Sequence, residues 1–514
     1  MQKCIASIDI GTTSTRCMIF DENAKIVASS HRKNRLIYPK PGWVEQDPYE
    51  ILENVRSVIS KAIKISKSER GNIIAIGITN QRETVIAWNK ENGIPFYNAI
   101  SWQDTRTKDI CNDLEKEGYG DLIKNKTGLS LNTYFSAPKI KWLLENVEKF
   151  KDAVKKEQAY VGNVDSWIIY NLTGKAFATD YTNASRTMLM DIRKLDWDQE
   201  LLNLFKIPDY ILPEIFPPSN DAFFGFTSAE SPFKENIPIS GVMGDQQASL
   251  LGQACTEPGM VKNTYGTGSF ILMNTGNQPL YSKHGMLTTV AFGKNNKDVT
   301  YALEGSIAYT GSTLEWLKNN LGILENVDES EVIAEKIKTS DGVYIVPAFS
   351  GLYAPYWDMD ATGLIIGLTA FTKKEHIIYA ALESTCYQTR DVIEAMEKDS
   401  GKKIMELRVD GGGSKNNYLM QLQANILGVN IIRSEIIETT SLGVALAAGM
   451  ALDYFKGDLR KYYAVEKIFK PEMPRELREK NYRLWKKAVE RSKKWKKNLK
   501  NYPFSSSGGT SFPL

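Results

Sequence analysis

The sequence predicts an α/β protein built from two similar domains that face each other, with a boundary near residue 250. Three observations predict it. The chain has 514 residues, about three times the usual domain length, so more than one core is required. Strand-like runs alternate with amphipathic helical runs along the chain, the pattern of α/β sheets. The segment KNTYGTGSFILMNTGN (262–277) has the shape of SIDIGTTSTRCMIFDEN (7–23), strand, GT turn, strand, and Gly11 and Gly266 lie 255 residues apart. A GT turn is common enough that chance stays open from this likeness alone. The expected division is residues 1–250, residues 251–474 and a basic C-terminal piece, 475–514.

The elements follow in order. Strands are expected over CIASIDI (4–10), RCMIF (16–20) and KIVASSHR (25–32). A helix follows, with Asp47 as cap, Pro48 in the first turn, Glu50 completing a capping box, and Ile51, Val55, Val58, Ile59, Ala62 and Ile63 as one apolar stripe. The fourth strand, IIAIGIT (73–79), ends in the polar string NQRET, which places those residues at a carboxyl edge where ligands bind. After the second start, strands are expected over TYALEG (300–305), VYIVPA (343–348) and LRVDGGG (407–413). Helices are expected over STLEWLKNNLG (312–322), EHIIYAALE (375–383) and NNYLMQLQANILG (416–428).

Composition narrows the chemistry. Hydrophobic residues at 42% and charged residues at 24% are globular values, which exclude wholesale disorder and fibrous repeats. The longest weakly polar run, TSLGVALAAGMAL (440–452), is too short to cross a bilayer. MQKCIASIDIG has no secretory pattern, and five dispersed cysteines without a CxxC suit a reducing compartment, so a cytoplasmic protein is expected and a zinc site is not. With three histidines in the whole chain, a general base is expected to be a carboxylate. The net charge is +3, but residues 475–500 carry a local +9, leaving −6 elsewhere. A body so poor in cations would bind polyphosphate through backbone N–H groups and a divalent cation. The basic piece, with Trp485, Ala488, Ser492, Trp495 and Leu499 at helical spacing, reads as a solvated helix with one docked face rather than a nucleic-acid contact, and SSSGGTSFPL as a disordered end.

Four strings carry the chemistry. DIGTTSTR (9–16) sets a carboxylate at a strand end before a glycine turn with Thr12, Thr13 and Ser14, a donor-rich loop for phosphate oxygens, with Asp9 placed to hold a hydrated Mg²⁺. A plain hairpin reads equally well. YGTGS (265–269) repeats the device, and two such turns across a cleft would clasp one polyphosphate. DGGGSKNN (410–417) lets a flat ring or ribose approach the backbone at a helix N-terminus, with Ser414 and Asn416 available as caps, or is an ordinary strand-to-helix loop. GDQQASLLGQ (244–253) puts Asp245 after a strand, as general base or simple helix cap. In TNQRET (79–84), Arg82 and Glu83 suit adjacent hydroxyls of a polyol, or form an exposed ion pair.

These strings occur, in the same order, with YPKPGWVEQDP (38–48), NAISWQDTRT (98–107), YFSAPKIKWLL (134–144), TDYTNASRTMLMDI (179–192), YALEGSI (301–307), VPAFSGLYAPYWD (346–358) and ESTCYQTRDVIEAM (383–396). Over residues 3–495 the chain resembles the glycerol kinases of the FGGY carbohydrate kinase family. The resemblance implies the duplicated actin, hexokinase and Hsp70 type of fold (ribonuclease H-like) around an interdomain cleft. It implies ATP-dependent phosphorylation of glycerol with Mg²⁺. It assigns glycerol to Arg82, Glu83, Tyr134, Asp245 and Gln246 with Trp102 and Phe270 as apolar walls, and the base to Asp245. ATP is assigned to Thr12, Thr13, Ser14 and Arg16, to Thr267, to Gly311 and position 315 (Glu315 here), and to Gly412 with Asn416. The metal is assigned to Asp9 and Asp245. The polyol site and the first phosphate turn fall in 1–250, and the second turn and the adenosine site in 251–474. A homodimer or homotetramer is expected, with no nucleic-acid or membrane partner.

Three positions depart from the pattern. Ile10 stands where the family usually has Gln, Glu315 where Gln is common, and the loop 228–236 lacks the Gly and Arg pattern tied to fructose 1,6-bisphosphate inhibition in enteric relatives. Strand alternation puts Ile10 with Ile8 on the packed side of the sheet. Two rivals stay open: a kinase of another polyol or ketose, and a nucleotide-binding scaffold without catalysis.

Overall fold

The computed structural model describes residues 2–68, 71–295 and 297–496. Its first half is organised on a five-stranded sheet in the order Ile239–Gly244, Gly71–Asn80, Gln2–Ile10, Ser14–Phe20, Ile26–Lys33. Gln2–Ile10 pairs antiparallel with Ser14–Phe20 and parallel with Gly71–Asn80, so Asp9 lies opposite Arg16 on one side and Thr79 on the other. The second half is organised on a seven-stranded sheet, Leu287–Asn295, Asp298–Ile307, Ser269–Gly276, Val261–Tyr265, Glu406–Asp410, Asn430–Ser434, Val465–Phe469. Val261–Tyr265 stands here as Gln2–Ile10 stands in the first sheet, antiparallel to the strand after its GT turn and parallel to its other neighbour. Three antiparallel strands followed by two parallel ones occur in both sheets. The half-chain likeness is therefore a repeat of topology.

The helix Pro48–Ser68 covers one face of the first sheet, burying Ile51, Val55, Val58, Ile59 and Ala62 against Ile8, Ile10 and Ile78. Ile10 is fully buried there, as strand alternation requires. The expected capping box does not form. Asp47 accepts the Tyr49 N–H at 2.9 Å, but the Glu50 carboxylate turns to Arg35, 2.8 Å from its Nε. The strand expected over 343–348 is also different: Tyr344–Val346 pairs with Leu364–Ile366 in a separate two-stranded ladder, because Pro347 has no N–H to extend it.

The other face of the first sheet is covered by a helix from the second half. Thr439–Ala451 packs Leu442, Val444, Ala445 and Ala448 against Ile5, Ala75 and Met243 of that sheet and Leu251 of the helix Asp245–Gly252. The approach is too close for side chains: a Cβ at Gly443 would sit 1.7 Å from the Ala248 carbonyl oxygen, and one at Gly77 2.5 Å from that of Val444. Asp410, last in its strand, ties the same helices together, accepting from Ser249 Oγ at 2.7 Å, Gln253 Nε2 at 2.9 Å and the Thr439 hydroxyl. The two halves are thus joined by backbone-close packing beneath the strand ends that carry the site. Among the described residues no helix is long and apolar enough to cross a membrane.

The C-terminal helix Arg475–Ser492 docks through Tyr482, Trp485, Ala488 and Val489. Trp485 stacks on Tyr387 with centroids 5.4 Å apart and donates to Asp391 at 2.8 Å. Trp495, expected on the docked face, is half exposed, because the helix ends at Ser492 and Lys493 is extended. Leu499 and SSSGGTSFPL lie outside the described residues. Replacing Trp485 with Phe keeps the stack but strips Asp391 of a buried donor. The expected cost is about 1–3 kcal/mol, read from urea unfolding; an unchanged midpoint would show that the indole hydrogen bond contributes nothing.

Candidate active site at the facing turns

The first turn, between Gln2–Ile10 and Ser14–Phe20, closes with the Gly11 N–H on Ser14 O at 2.9 Å. Its carbonyls are all occupied. Gly11 O accepts from Asn34 Nδ2 at 2.8 Å, Thr12 O from Gln46 Nε2 at 3.0 Å and Thr13 O from the Asn34 N–H at 2.9 Å. The Thr12 and Thr13 N–H groups have no protein acceptor among the described residues. The second turn has the same polarity: Gly266 O and Thr267 O accept from Gly311, Thr310 and Ser312, whereas the Thr267 and Gly268 N–H groups are left over among the described residues. Turns whose carbonyls are capped and whose N–H groups are free present donors, and such concavities bind anions.

Asp9 and Asp245 stand beside the first turn. Asp245 opens the helix Asp245–Gly252, and its strand is in register with Gly71–Asn80, Gly244 opposite Asn80, so Asp245 and Arg82 share one sheet edge. It does not cap the helix, whose N-cap is Gly244. Its Oδ1 accepts from the Gln246 N–H at 2.7 Å and lies 3.2 Å from Arg82 Nε in an ion pair, while Oδ2 has no protein donor among the described residues. Burial pushes the Asp9 carboxyl up to about 6, Arg16 opposes this at 4.0 Å, and the charge of Asp245 adds to the rise. Arg16 is drawn the other way by Glu438, its ion-pair partner. A carboxyl raised by burial and by the charge of a neighbouring carboxylate fits a hydrated divalent cation, which would relieve the repulsion between Asp9 and Asp245. Among the described residues no three His, Cys, Asp or Glu side chains form a metal cage. Mg²⁺ suits such a place, because it keeps waters and phosphate oxygens in its shell.

Arg82 and Glu83 are not an exposed ion pair, since they are 3% and 1% accessible. Nor do they bind each other. Arg82 grips Glu304 of the second half through Nη1 at 2.5 Å and Nη2 at 3.0 Å; Arg186 bridges Glu304 at 3.1 Å and Glu83 at 2.6 Å. Burial opposes the charge on Glu304, but Arg186 and Arg82 outweigh it and hold the carboxyl at about 2. Burial pushes Glu83 up, against the pull of Arg186 and Arg82. Over this network sit three aromatic rings. Trp102 meets Tyr134 at 5.5 Å and Phe270 of the second half at 6.0 Å, both edge-to-face, and its indole N–H donates to Thr12 Oγ1 at 2.9 Å. The structure thus brings Arg82, Glu83, Trp102, Tyr134, Asp245, Gln246 and Phe270 to one place beside the first turn.

On the opposite side, Gly311 starts the helix Gly311–Asn319 and touches the second turn so closely that a Cβ would lie 2.6 Å from Gly266 O. Glu315 points to solvent, paired with Asn319 at 3.1 Å, in an open pocket with Tyr309, Ser312, Trp316 and Phe349. Gly411 and Gly413 pack on Tyr265, just before the second turn, whereas a Cβ at Gly412 would meet nothing within 4 Å, so its face is open. Asn416 caps the helix Asn417–Leu427 as expected. Ser414 does not, because its hydroxyl donates to Gly411 O at 2.7 Å. Arg186, Gln247, Lys262, Glu304 and Asp410 have no part in the sequence reading. The one local signal among them is Glu304, a charged residue inside the apolar run YALEG.

The comparisons with known proteins agree with this architecture. The FGGY family of carbohydrate kinases matches in two pieces, its N-terminal domain over residues 4–252 and its C-terminal domain over residues 261–452. The chain is 52% identical over 498 residues to a glycerol kinase of Caldanaerobacter subterraneus subsp. tengcongensis, covering 96% of this chain and 99% of that protein. It is likewise 52% identical over 498 residues to glycerol kinase 2 of Thermotoga maritima, covering 96% and 100%. The crystal structure of Plasmodium falciparum glycerol kinase with ADP superposes with a TM-score of 0.90 at 40% identity, covering 96% of this chain and 98% of that one. Two sheets of one topology, two donor-rich turns and a shared carboxylate edge belong together for that reason: the chain is a member of the FGGY family of carbohydrate kinases.

Proposed function

We propose that the protein transfers the γ-phosphoryl group of ATP to glycerol, giving sn-glycerol 3-phosphate and ADP. The observation that carries this reading is the free Oδ2 of Asp245, placed between a small aromatic-walled polar pocket and two turns that present only donors. The relatives at 52% identity, all but full length, support glycerol as the acceptor. Arg82 keeps one Nη2–H for a polyol oxygen, Glu83 keeps one carboxylate oxygen to accept a hydroxyl, and Trp102, Tyr134 and Phe270 cover the carbons. The polyphosphate lies between the turns at 12–14 and 267, with adenosine toward Gly311, Glu315, Gly412 and Asn416. Asp245 takes the proton as the glycerol oxygen attacks the γ-phosphorus and the bond to the bridging oxygen of ADP breaks. Positioning and charge neutralisation supply most of the rate, because the transfer needs little covalent help. Bound at Asp9 and Asp245, Mg²⁺ would neutralise charge developing on the phosphates.

An ADP-release assay with and without glycerol tests the reading. Release that glycerol does not stimulate would leave a nucleotide-binding scaffold, and stimulation by a longer polyol instead would make the chain a different FGGY kinase. The aromatic walls set that choice. Trp102→Ala is expected to raise KM for glycerol and to narrow its advantage over four- and five-carbon polyols by about tenfold or more, the scale of one pocket contact. Unchanged selectivity would put Trp102 outside the pocket. Five free, buried thiols and ATP as co-substrate support a cytoplasmic placement, and a homodimer or homotetramer is the assembly we expect.

A further inference from the structure

We propose that Lys262 is a positioning residue that locks the Gln246 carboxamide with its NH2 toward the polyol, so that recognition of a substrate hydroxyl depends on a buried lysine in the other half of the molecule. The proposal rests on the reading that a polyol binds against Gln246. Lys262 and Thr264 share one face of the strand Val261–Tyr265, and the Lys262 side chain is fully buried. Its Nζ donates to Gln246 Oε1 at 2.6 Å and to Thr264 Oγ1 at 2.9 Å. An ammonium has donors and no acceptor, so the Gln246 atom it meets must be the oxygen. The flipped amide would set N–H against N–H in a buried site. Gln246 Nε2, with two hydrogens, has no protein acceptor among the described residues. It is free to donate to a ligand oxygen.

Stability does not explain a lysine here. Among the described residues Lys262 has no carboxylate within ion-pair distance, and burial pulls its ammonium down to about 8 against the opposing charges of Asp410, Asp245 and Glu304. A buried cation held only by neutral acceptors is costly, and an apolar side chain of equal length would suit the strand better. The property that only a strong donor supplies at this point is the fixed direction of the amide.

A double-mutant cycle on the full chain tests this, with glycerol KM, kcat and ATP KM measured for Lys262→Met, Gln246→Ala and the pair. Lys262→Met should raise glycerol KM by about tenfold to a hundredfold, the effect of a hydrogen bond to a charged group, with ATP KM unchanged. In the Gln246→Ala background it should add less than about twofold, because the amide it orients is gone. Independent, multiplying effects would overturn the proposal, as would an unchanged glycerol KM in Lys262→Met. Gln246→Glu keeps the proposal testable should Lys262→Met fold poorly. It gives Lys262 an ion-pair partner but removes the NH2, so the thermal midpoint should hold or rise while glycerol KM rises at least about tenfold. A Gln246→Glu enzyme with normal glycerol KM would sink the idea. Failure of the wild-type chain to phosphorylate any polyol would instead sink the functional reading beneath it.

Discussion

Asp245→Asn is expected to lower kcat by about a hundredfold or more, the usual cost of removing a general base and about 2.7 kcal/mol of barrier. The substitution is nearly isosteric. Its remaining oxygen can still accept from the Gln246 N–H, which now meets Oδ1 at 2.7 Å, and can stay beside Arg82 Nε, now 3.2 Å from Oδ1. What disappears is the proton acceptor at Oδ2 and one negative charge beside Asp9. Nucleotide affinity should persist, because the turn donors are backbone groups. Loss of the charge should also let the Asp9 carboxyl fall from about 6, since Asp245 is one of the groups that raise it. Steady-state turnover together with calorimetric titration of ATP checks both halves. A variant with near wild-type kcat would remove Asp245 from the role of base.

Glu304→Gln should be the most destabilising of the substitutions considered, by about 3–5 kcal/mol, the scale for removing one partner of a buried ion pair. Glu304 is fully buried and accepts from both Arg82 and Arg186. A carboxamide would turn a donor toward two guanidiniums that have only Glu83 and Asp245 left to share. The sign of the pH dependence follows from the direction of the shift. The Glu304 carboxyl is held at about 2 against an ordinary 4.5, so its contribution is complete above pH 4.5 and is lost as the pH falls through 2. Glu83, shifted upward by burial, works in the opposite sense. Because Glu304 belongs to the second half and both arginines to the first, the variant should also bind glycerol less tightly. Urea unfolding at pH 7 and glycerol KM are the measurements; a Glu304→Gln protein as stable as the parent would show that the arginines are satisfied without it.

Much of the site could be read along the chain because its parts are local. Strand alternation put Ile10 in the core, and turn chemistry marked 11–14 and 266–269, since both depend on residues that are neighbours in sequence. The half-chain repeat showed that the two turns belong to equivalent positions, and the order of strings pointed to the family. Tertiary structure decided the rest. Whether Arg82 and Glu83 were an exposed pair or members of a buried charge network depended on Glu304, 222 residues from Arg82, and on Arg186. The run 440–452, which sequence could only exclude as a membrane span, turned out to be the helix beneath the first sheet, because its glycines permit an approach that no periodicity announces. Glu50 failed to cap and Trp495 failed to dock for the same kind of reason: Arg35 competes for one, and the end of a helix at Ser492 removes the other. Secondary structure and turn type answer to energies between near neighbours. The partner of a buried charge is set by which strand ends meet across the two sheets, and that is a property of the folded chain alone.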